Sequence, residues 1–165
     1  MKNYMKLEIA ALGENESFAR STVAAFALGL NPSLSELSDI KTAVSEAVTN
    51  CVVHAYGNGA QSNKILLECE TETLEGEQGG VLHIRITDYG CGIQDLDKAI
   101  EPFYTTLSSE ERSGMGFTIM QTFMDEFTLM SARGEGTQVC MSKRIGGISA
   151  QSEMASGVER EGANA

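Results

Sequence analysis

The stretch Ser45–Tyr56, SEAVTNCVVHAY, sets Glu46, Asn50 and His54 at four-residue intervals inside an otherwise apolar helical pattern. At about 100° per residue, that interval draws an acid, an amide and an imidazole into one narrow stripe. Ala43, Ala47, Val48, Cys51, Val52 and Ala55 fill the broad arc beside it. A stripe at the edge of an apolar face is half-buried, so its polar groups can converge on something lying beside the core. A carboxylate there can accept or orient a proton, and an amide oxygen suits a hard divalent cation. For this helix taken alone, a solvated flank is the plainer explanation.

Three further pieces change that balance. In RITDYGCGI, Asp88 closes a β-branched run, and Gly90 and Gly92 follow in a D-x-G-x-G spacing. An aspartate fixed at a strand end can accept a hydrogen bond from an exocyclic amine such as that of adenine, and the glycines permit close backbone approach. In ERSGMGFTIM, Gly114 and Gly116 lead straight into a helical pattern. The unpaired N–H groups and dipole of such a helix start suit a phosphate. Arg112, just before it, could reach a terminal phosphate, where charge builds up during transfer. GEGT supplies Gly134, Gly136 and Thr137 at a hairpin turn. Each piece also reads singly as something ordinary: a capped turn, a glycine-rich loop, a hairpin. The order of all four is the specific feature.

The elements that must position these groups follow from periodicity. KLEIAAL alternates as a strand, and NESFARSTVAAFALGL reads as a helix ending near Gly29. Asn31-Pro32 breaks the chain, and a second helix runs from near Ser35 to Gly57. NKILLECET and VLHIRITD are strands joined by a turn at EGEQGG, and YGCGI is a glycine loop. QDLDKAIEPFYTTLSSEERSG reads as a short helix followed by a long mobile segment. FTIMQTFMDEF is a helix, and FTLMSARGEGTQVCMSKR a hairpin turning at RGEG. This order predicts an α+β two-layer sandwich, with helices on one face of a mixed, mostly antiparallel sheet. One domain is expected over residues 1–144. From 145 to 165 the composition is poor in large apolar residues, which predicts a disordered acidic tail.

With 12 Lys and Arg against 23 Asp and Glu, the net charge is −11. Such a surface repels phosphate backbones and argues against direct nucleic-acid binding, while it would suit a basic protein partner. Cys51, Cys69, Cys91 and Cys140 form no C-x-x-C pair, which argues against a zinc site, and Cys51 and Cys140 sit among apolar residues. The N-terminal MKNYMKLEIAAL has no export pattern, and no stretch approaches membrane-spanning length. A reducing, cytoplasmic setting is expected.

The order of the four motifs resembles the ATP-binding fold (the Bergerat fold) shared by gyrase-type ATPases, Hsp90, MutL and sensor histidine kinases. Within that superfamily the chain is similar to the anti-sigma serine kinases, and among them to the anti-sigma F factors of spore-forming bacteria. ENESFAR at Glu14–Arg20, IKTAVSEAVTN at Ile40–Asn50, and ERSGMGFTIM with DEF at Glu111–Phe127 carry the likeness, which spans roughly residues 5 to 144. The resemblance implies a homodimeric protein that holds a sigma factor inactive and uses Mg-ATP to phosphorylate a STAS-domain anti-anti-sigma protein on serine. It implies Glu46 as the catalytic carboxylate, with Arg112 beside the phosphates, and Asn50 as the magnesium ligand. It makes Asp88 the reader of adenine, helped by Thr137. Gly90, Gly92, Gly114 and Gly116 would shape the ATP/ADP pocket, with Thr105, Thr106, Ser113, Met115 and Phe117 also on it. Phe103–Ser113 would form a lid, and Arg20 would meet protein partners. The chain departs from the family at Tyr89 and Cys91, where an acid and a Val or Thr are common, and at Leu107, where a lysine commonly follows the lid threonines.

Other kinase types fit poorly. DYG imitates a magnesium-binding DFG, but no H-R-D loop or V-A-I-K strand accompanies it. No G-x-x-x-x-G-K-[ST] occurs. A sensor histidine kinase would need a phospho-acceptor helix, and the chain's two histidines are His54, in the second helix, and His83, in a strand. Two readings stay open beside the serine kinase: a nucleotide-gated sequestering module with little kinase activity, and a relative that controls a stress-response sigma factor.

Overall fold

A computed structural model of the chain describes residues 1–57, 60–73, 79–101 and 114–146. The expected lid, with Thr105, Thr106, Arg112 and Ser113, lies outside the described residues, as does the tail from 147 onward.

The chain runs β1 (Lys2–Ala11), α1 (Asn15–Ala27), α2 (Leu34–Asn50), β2 (Ala60–Glu72), β3 (Gly80–Asp88), α3 (Leu96–Ala99), α4 (Gly116–Phe123), β4 (Glu126–Ala132) and β5 (Gly136–Ile145). The sheet order is β1-β2-β3-β5-β4, and every pairing is antiparallel. The mixed sheet expected from the sequence thus narrows to a wholly antiparallel one among the described strands.

Period-two alternation decides which face is covered. Ile65, Leu67 and Cys69 of β2 and Leu82, Ile84 and Ile86 of β3 are buried, while the residues between them face outward. Against that face lie Ala19, Val23 and Ala27 of α1 and Ile40, Ala43, Val44, Ala47 and Val48 of α2, at helical spacing. Each fully buried Ile, Leu or Val contributes about 1.5–3 kcal/mol. The opposite face carries exposed ion pairs, including Lys2–Glu70 at 2.8 Å and Lys64–Glu8 at 2.6 Å. Exposed pairs add little stability, so this face is simply wet. Cys51 is buried as expected, but Cys140 is half-buried in a shallow outer groove with Tyr4, His83 and Arg85.

Local signals set the ends of the elements. Asn31 takes the left-handed conformation (φ 56°) ahead of Pro32. Ser33 Oγ accepts from the Glu36 N–H (3.2 Å), and the Glu36 carboxylate accepts from the Ser33 N–H (2.7 Å). This capping box in SLSE starts α2 at Leu34, one residue ahead of the Ser35 expected. The helix then widens into a π-helical turn at Cys51–Ala55. The helix expected through Phe127 stops at Phe123. Lys143 Nζ donates to the Phe123 carbonyl at 2.7 Å and pairs with Asp39 at 3.1 Å, tying the end of α4 to α2 and β5. Asp125 already donates to the Ser142 carbonyl at 2.9 Å, so residues 124–127 turn into strand pairing instead. At the other end of the chain, β1 begins at Lys2 rather than Lys6 because the long β2 offers it a partner as far as Glu72.

Candidate functional site

A cleft of about 1180 Å³ opens between the end of α2, the loop after β3, the start of α4 and the β4–β5 hairpin. Asn50, His54, Asp88, Gly116, Phe117 and Thr137 are among its lining residues. Glu46, Asn50 and His54 are all half-buried, as their edge stripe predicts.

At one end, Asp88 is only 3% exposed, and its Oδ1 accepts from the Gly90 N–H (3.0 Å) and the Thr137 N–H (3.1 Å). Burial pushes the Asp88 carboxyl above its ordinary pKa, against the pull of those two N–H groups and of the Cys51 thiol, which also hydrogen-bonds it. Burial, with Asp88 alongside, pushes the Cys51 thiol well up. That thiol is therefore a proton donor rather than a nucleophile. The loop after Asp88 is pinned from both sides. Cys91 donates to the Ala55 carbonyl of the π turn (3.1 Å), and Gly134 of the hairpin donates to the Cys91 carbonyl (2.7 Å). Gly92 sits at φ +69°, where a side chain would also strike the Ala132 carbonyl, so the D-x-G-x-G spacing has a steric cause here.

At the other end, Gly114 has φ +65° and Gly116 opens α4. Met115 stands at the N-cap and offers no side-chain cap, and the leading N–H groups of α4, like those of any helix, have no acceptor within the helix itself. A Cβ on Gly116 would lie 3.1 Å from Glu46 Oε2, 3.2 Å from Asn50 Nδ2 and 3.4 Å from Asn50 Oδ1. The missing side chain is what lets the helix start approach the carboxylate and the amide together.

The structure thus brings Glu46, Asn50, Gly114, Gly116 and Phe117 to one end and Asp88, Gly90, Gly92 and Thr137 to the other. Arg20 stands apart on α1, where it is half-exposed rather than free: Nη1 reaches Glu16 at 3.1 Å and Ser45 Oγ at 3.4 Å. Ser45 also donates to Glu16, which joins α1 to α2 one residue before Glu46. Sequence reasoning missed Cys51 as a partner of Asp88, and Tyr56, whose hydroxyl accepts from the Tyr89 N–H (2.7 Å) and donates to the Lys64 carbonyl (2.7 Å). It also missed Ser131, which counting back from the RGEG turn would have set opposite Thr137.

Residues 9–143 match the histidine kinase-like ATPase domain. The anti-sigma F factor of Thermoanaerobacter sp. (strain X514) is 49% identical over 144 residues, covering 87% of this chain and 95% of that protein. That of Caldanaerobacter subterraneus subsp. tengcongensis is 50% identical over 145 residues, with coverage of 87% and 95%. The chain belongs to the anti-sigma F factor family. The anti-sigma F factor of Bacillus licheniformis is 46% identical, covering 88% of this chain and 94% of that one. A crystal structure of the RsbU and RsbW domains of Rv1364c from Mycobacterium tuberculosis superposes with a TM-score of 0.57 at 16% identity, over 87% of this chain and 32% of that one, a likeness of fold alone.

An ATPase domain of this family binds a nucleotide. A magnesium ion fits the donor set. Asn50 offers a neutral oxygen beside the start of α4, and phosphate-bound magnesium needs only one or two protein oxygens. No cluster of three or more His, Cys, Asp or Glu able to hold a metal occurs among the described residues, so a cation here would depend on phosphate oxygens.

Proposed function

We propose that the chain is a protein serine kinase that uses Mg-ATP to phosphorylate a STAS-domain anti-anti-sigma protein, and that it also binds and restrains a sigma factor of the sporulation type. One observation carries the kinase reading: Glu46 and Asn50, a turn apart on α2, both flank the Gly116 position at the start of α4. A proton acceptor and a cation ligand therefore lie where a terminal phosphate would meet helix N–H groups.

In this reading Glu46 accepts or orients the proton of the incoming serine hydroxyl. Asn50 would hold magnesium, which when bound would offset the negative charge of the phosphates. The N–H groups of α4 do the same from the other side, and Arg112 completes the charge stabilisation at the terminal phosphate. Asp88, with Thr137, accepts from the exocyclic amine of the base. Thr105, Thr106 and Ser113 belong to the segment assigned as a lid. The half-exposed Arg20, held by Glu16 and Ser45, supports a partner surface on α1 next to the reacting edge of α2. The sigma-factor partner follows the names of the relatives, and the anti-anti-sigma partner, the homodimer and a cytoplasmic setting follow the family likeness. No helix among the described residues is long and apolar enough to cross a membrane.

The test mixes the purified chain with Mg-ATP and an anti-anti-sigma protein and follows the partner's intact mass. A phosphate-sized gain on one serine, lost with Glu46→Ala, is the expected result. No gain, with nucleotide binding and sigma capture intact, would replace the kinase with a nucleotide-gated sequestering module.

A further inference from the structure

Asp88, Thr137 and Ser131 stand side by side across three neighbouring strands, Asp88 opposite Thr137 and Thr137 opposite Ser131. All three line the cleft. Ser131 Oγ lies 2.7 Å from the Gly136 carbonyl, 2.8 Å from the Ile93 nitrogen and 3.0 Å from Thr137 Oγ1. A carbonyl has no hydrogen to give, so the single Ser131 proton must lie on the Gly136 contact. The Ile93 N–H fills one Ser131 lone pair. The Thr137 contact then needs the Thr137 proton, because Ser131 has none left. Thr137 Oγ1 is left with lone pairs only, next to an aspartate that also offers lone pairs.

We infer that Ser131 is a positioning residue that locks the Thr137 hydroxyl as an acceptor and so makes the base end reject a purine with an oxo group in place of the exocyclic amine. This rests on the proposal that Asp88 marks the base end. A threonine hydroxyl ordinarily turns to suit either partner, donating to an oxo group or accepting from an amine. Here the rotor is held. An exocyclic amine finds acceptors, whereas an oxo group would set oxygen against oxygen with no hydroxyl free to turn. The Ile93 bond ties the far end of the glycine loop to the same hydroxyl, so loop and hairpin are held in one register.

Dissociation constants for ADP and inosine diphosphate, measured on the full chain by calorimetry, test this. The two nucleotides differ at the purine 6-position, amine against oxo, and at N1, an acceptor in adenine and an N–H donor in hypoxanthine. The diphosphate of 6-methoxypurine riboside, which carries an oxygen at the 6-position and keeps N1 as an acceptor, separates the two differences and should bind as weakly as inosine diphosphate. The unaltered protein should prefer ADP. Ser131→Ala should cut the ADP-to-inosine-diphosphate preference roughly tenfold, the worth of one mismatched hydrogen bond. Ser131→Thr, which keeps a hydroxyl on a strand, should restore it. Ser131→Cys, a weak donor and acceptor of similar size, should fall between and gives the reading if the alanine variant does not fold. A preference unchanged in Ser131→Ala, both affinities falling in parallel, or no recovery in Ser131→Thr overturns the inference while leaving Asp88 in place. Equal binding of the two nucleotides by the unaltered protein, or a preference untouched by Asp88→Asn, overturns the base-end reading and the inference with it.

Discussion

The two ends of the cleft are built by different means. At the proposed base end the acceptors are held by backbone and strand register: two N–H groups fix Asp88 Oδ1, and Thr137 lies between Asp88 and Ser131. At the proposed phosphate end Glu46 and Asn50 leave one edge of α2, and the start of α4 comes close to both because Gly116 has no side chain. A sheet edge with fixed acceptors suits a flat base whose donors occupy fixed positions. A helix edge facing the start of another helix suits a group whose charge changes during reaction. Damage to the first should alter which nucleotide binds and how tightly, and damage to the second should alter the rate.

The largest separation is expected from Glu46→Ala. Transfer in a single turnover should fall by about two to four orders of magnitude, the usual worth of a general base. ADP affinity should hold within a few-fold. A parallel loss of both would erase the distinction between the ends. Asp88→Asn should do the reverse, raising the nucleotide dissociation constant by roughly ten- to a hundredfold through loss of charge-assisted hydrogen bonds. Its single-turnover rate at saturating ATP should stay near that of the unaltered protein, and a rate loss as deep as that of Glu46→Ala would couple the two ends.

Gly116→Ala sharpens the comparison inside one helix. The added methyl would crowd Glu46 and Asn50 at 3.1–3.4 Å, so transfer should drop roughly tenfold, the scale of a small misplacement at a reacting centre. Replacing glycine by alanine in a helix is also worth about 0.5–1 kcal/mol of stability. Greater resistance to urea together with slower transfer is the expected pairing. Lower stability would mean that the neighbours of Gly116 cannot give way.

The same division explains what could be read from the sequence. Glu46 with Asn50, D-x-G-x-G and the glycines before α4 are legible because each needs particular residue types at fixed spacing. Ser131 is not. A serine in FTLMSA has no chemical signature, and its role exists only through the register that sets it against Thr137. Lys143 is equally silent, since its partner Asp39 lies far away in the chain and only the packing of α2 against the sheet brings the two to 3.1 Å. The overrun of α4 has a different cause. In FTIMQTFMDEF the apolar residues fit a helix through Phe127, but Asp125 and Glu126 are claimed by Ser142 and Arg144 of β5, a long-range competition no local pattern records. The wet outer face and the helix-covered face, by contrast, follow from alternation alone.

The smallest effect should appear in stability rather than activity, again at Asp88. Its carboxyl is raised above the ordinary aspartate pKa by burial. The folded state therefore disfavours the charged form more than the unfolded chain does. Above the folded pKa that penalty is present in full. As the pH falls through the folded pKa the native state takes up its proton first, and the penalty is gone below the unfolded value, about 3.9. Asparagine carries no charge and keeps an oxygen for the Gly90 and Thr137 N–H groups. Asp88→Asn should then be no less stable than the unaltered protein at neutral pH, and any advantage should shrink as the pH is lowered to about 4.5. Urea midpoints of the two proteins at both pH values check this. A gap that widens in acid would have the opposite sign, meaning that the Gly90 and Thr137 N–H groups stabilise the carboxylate more than burial penalises it. The proposed base end would then gain stability from the same charge that is proposed to read the nucleotide, instead of holding that charge at a cost for the sake of binding.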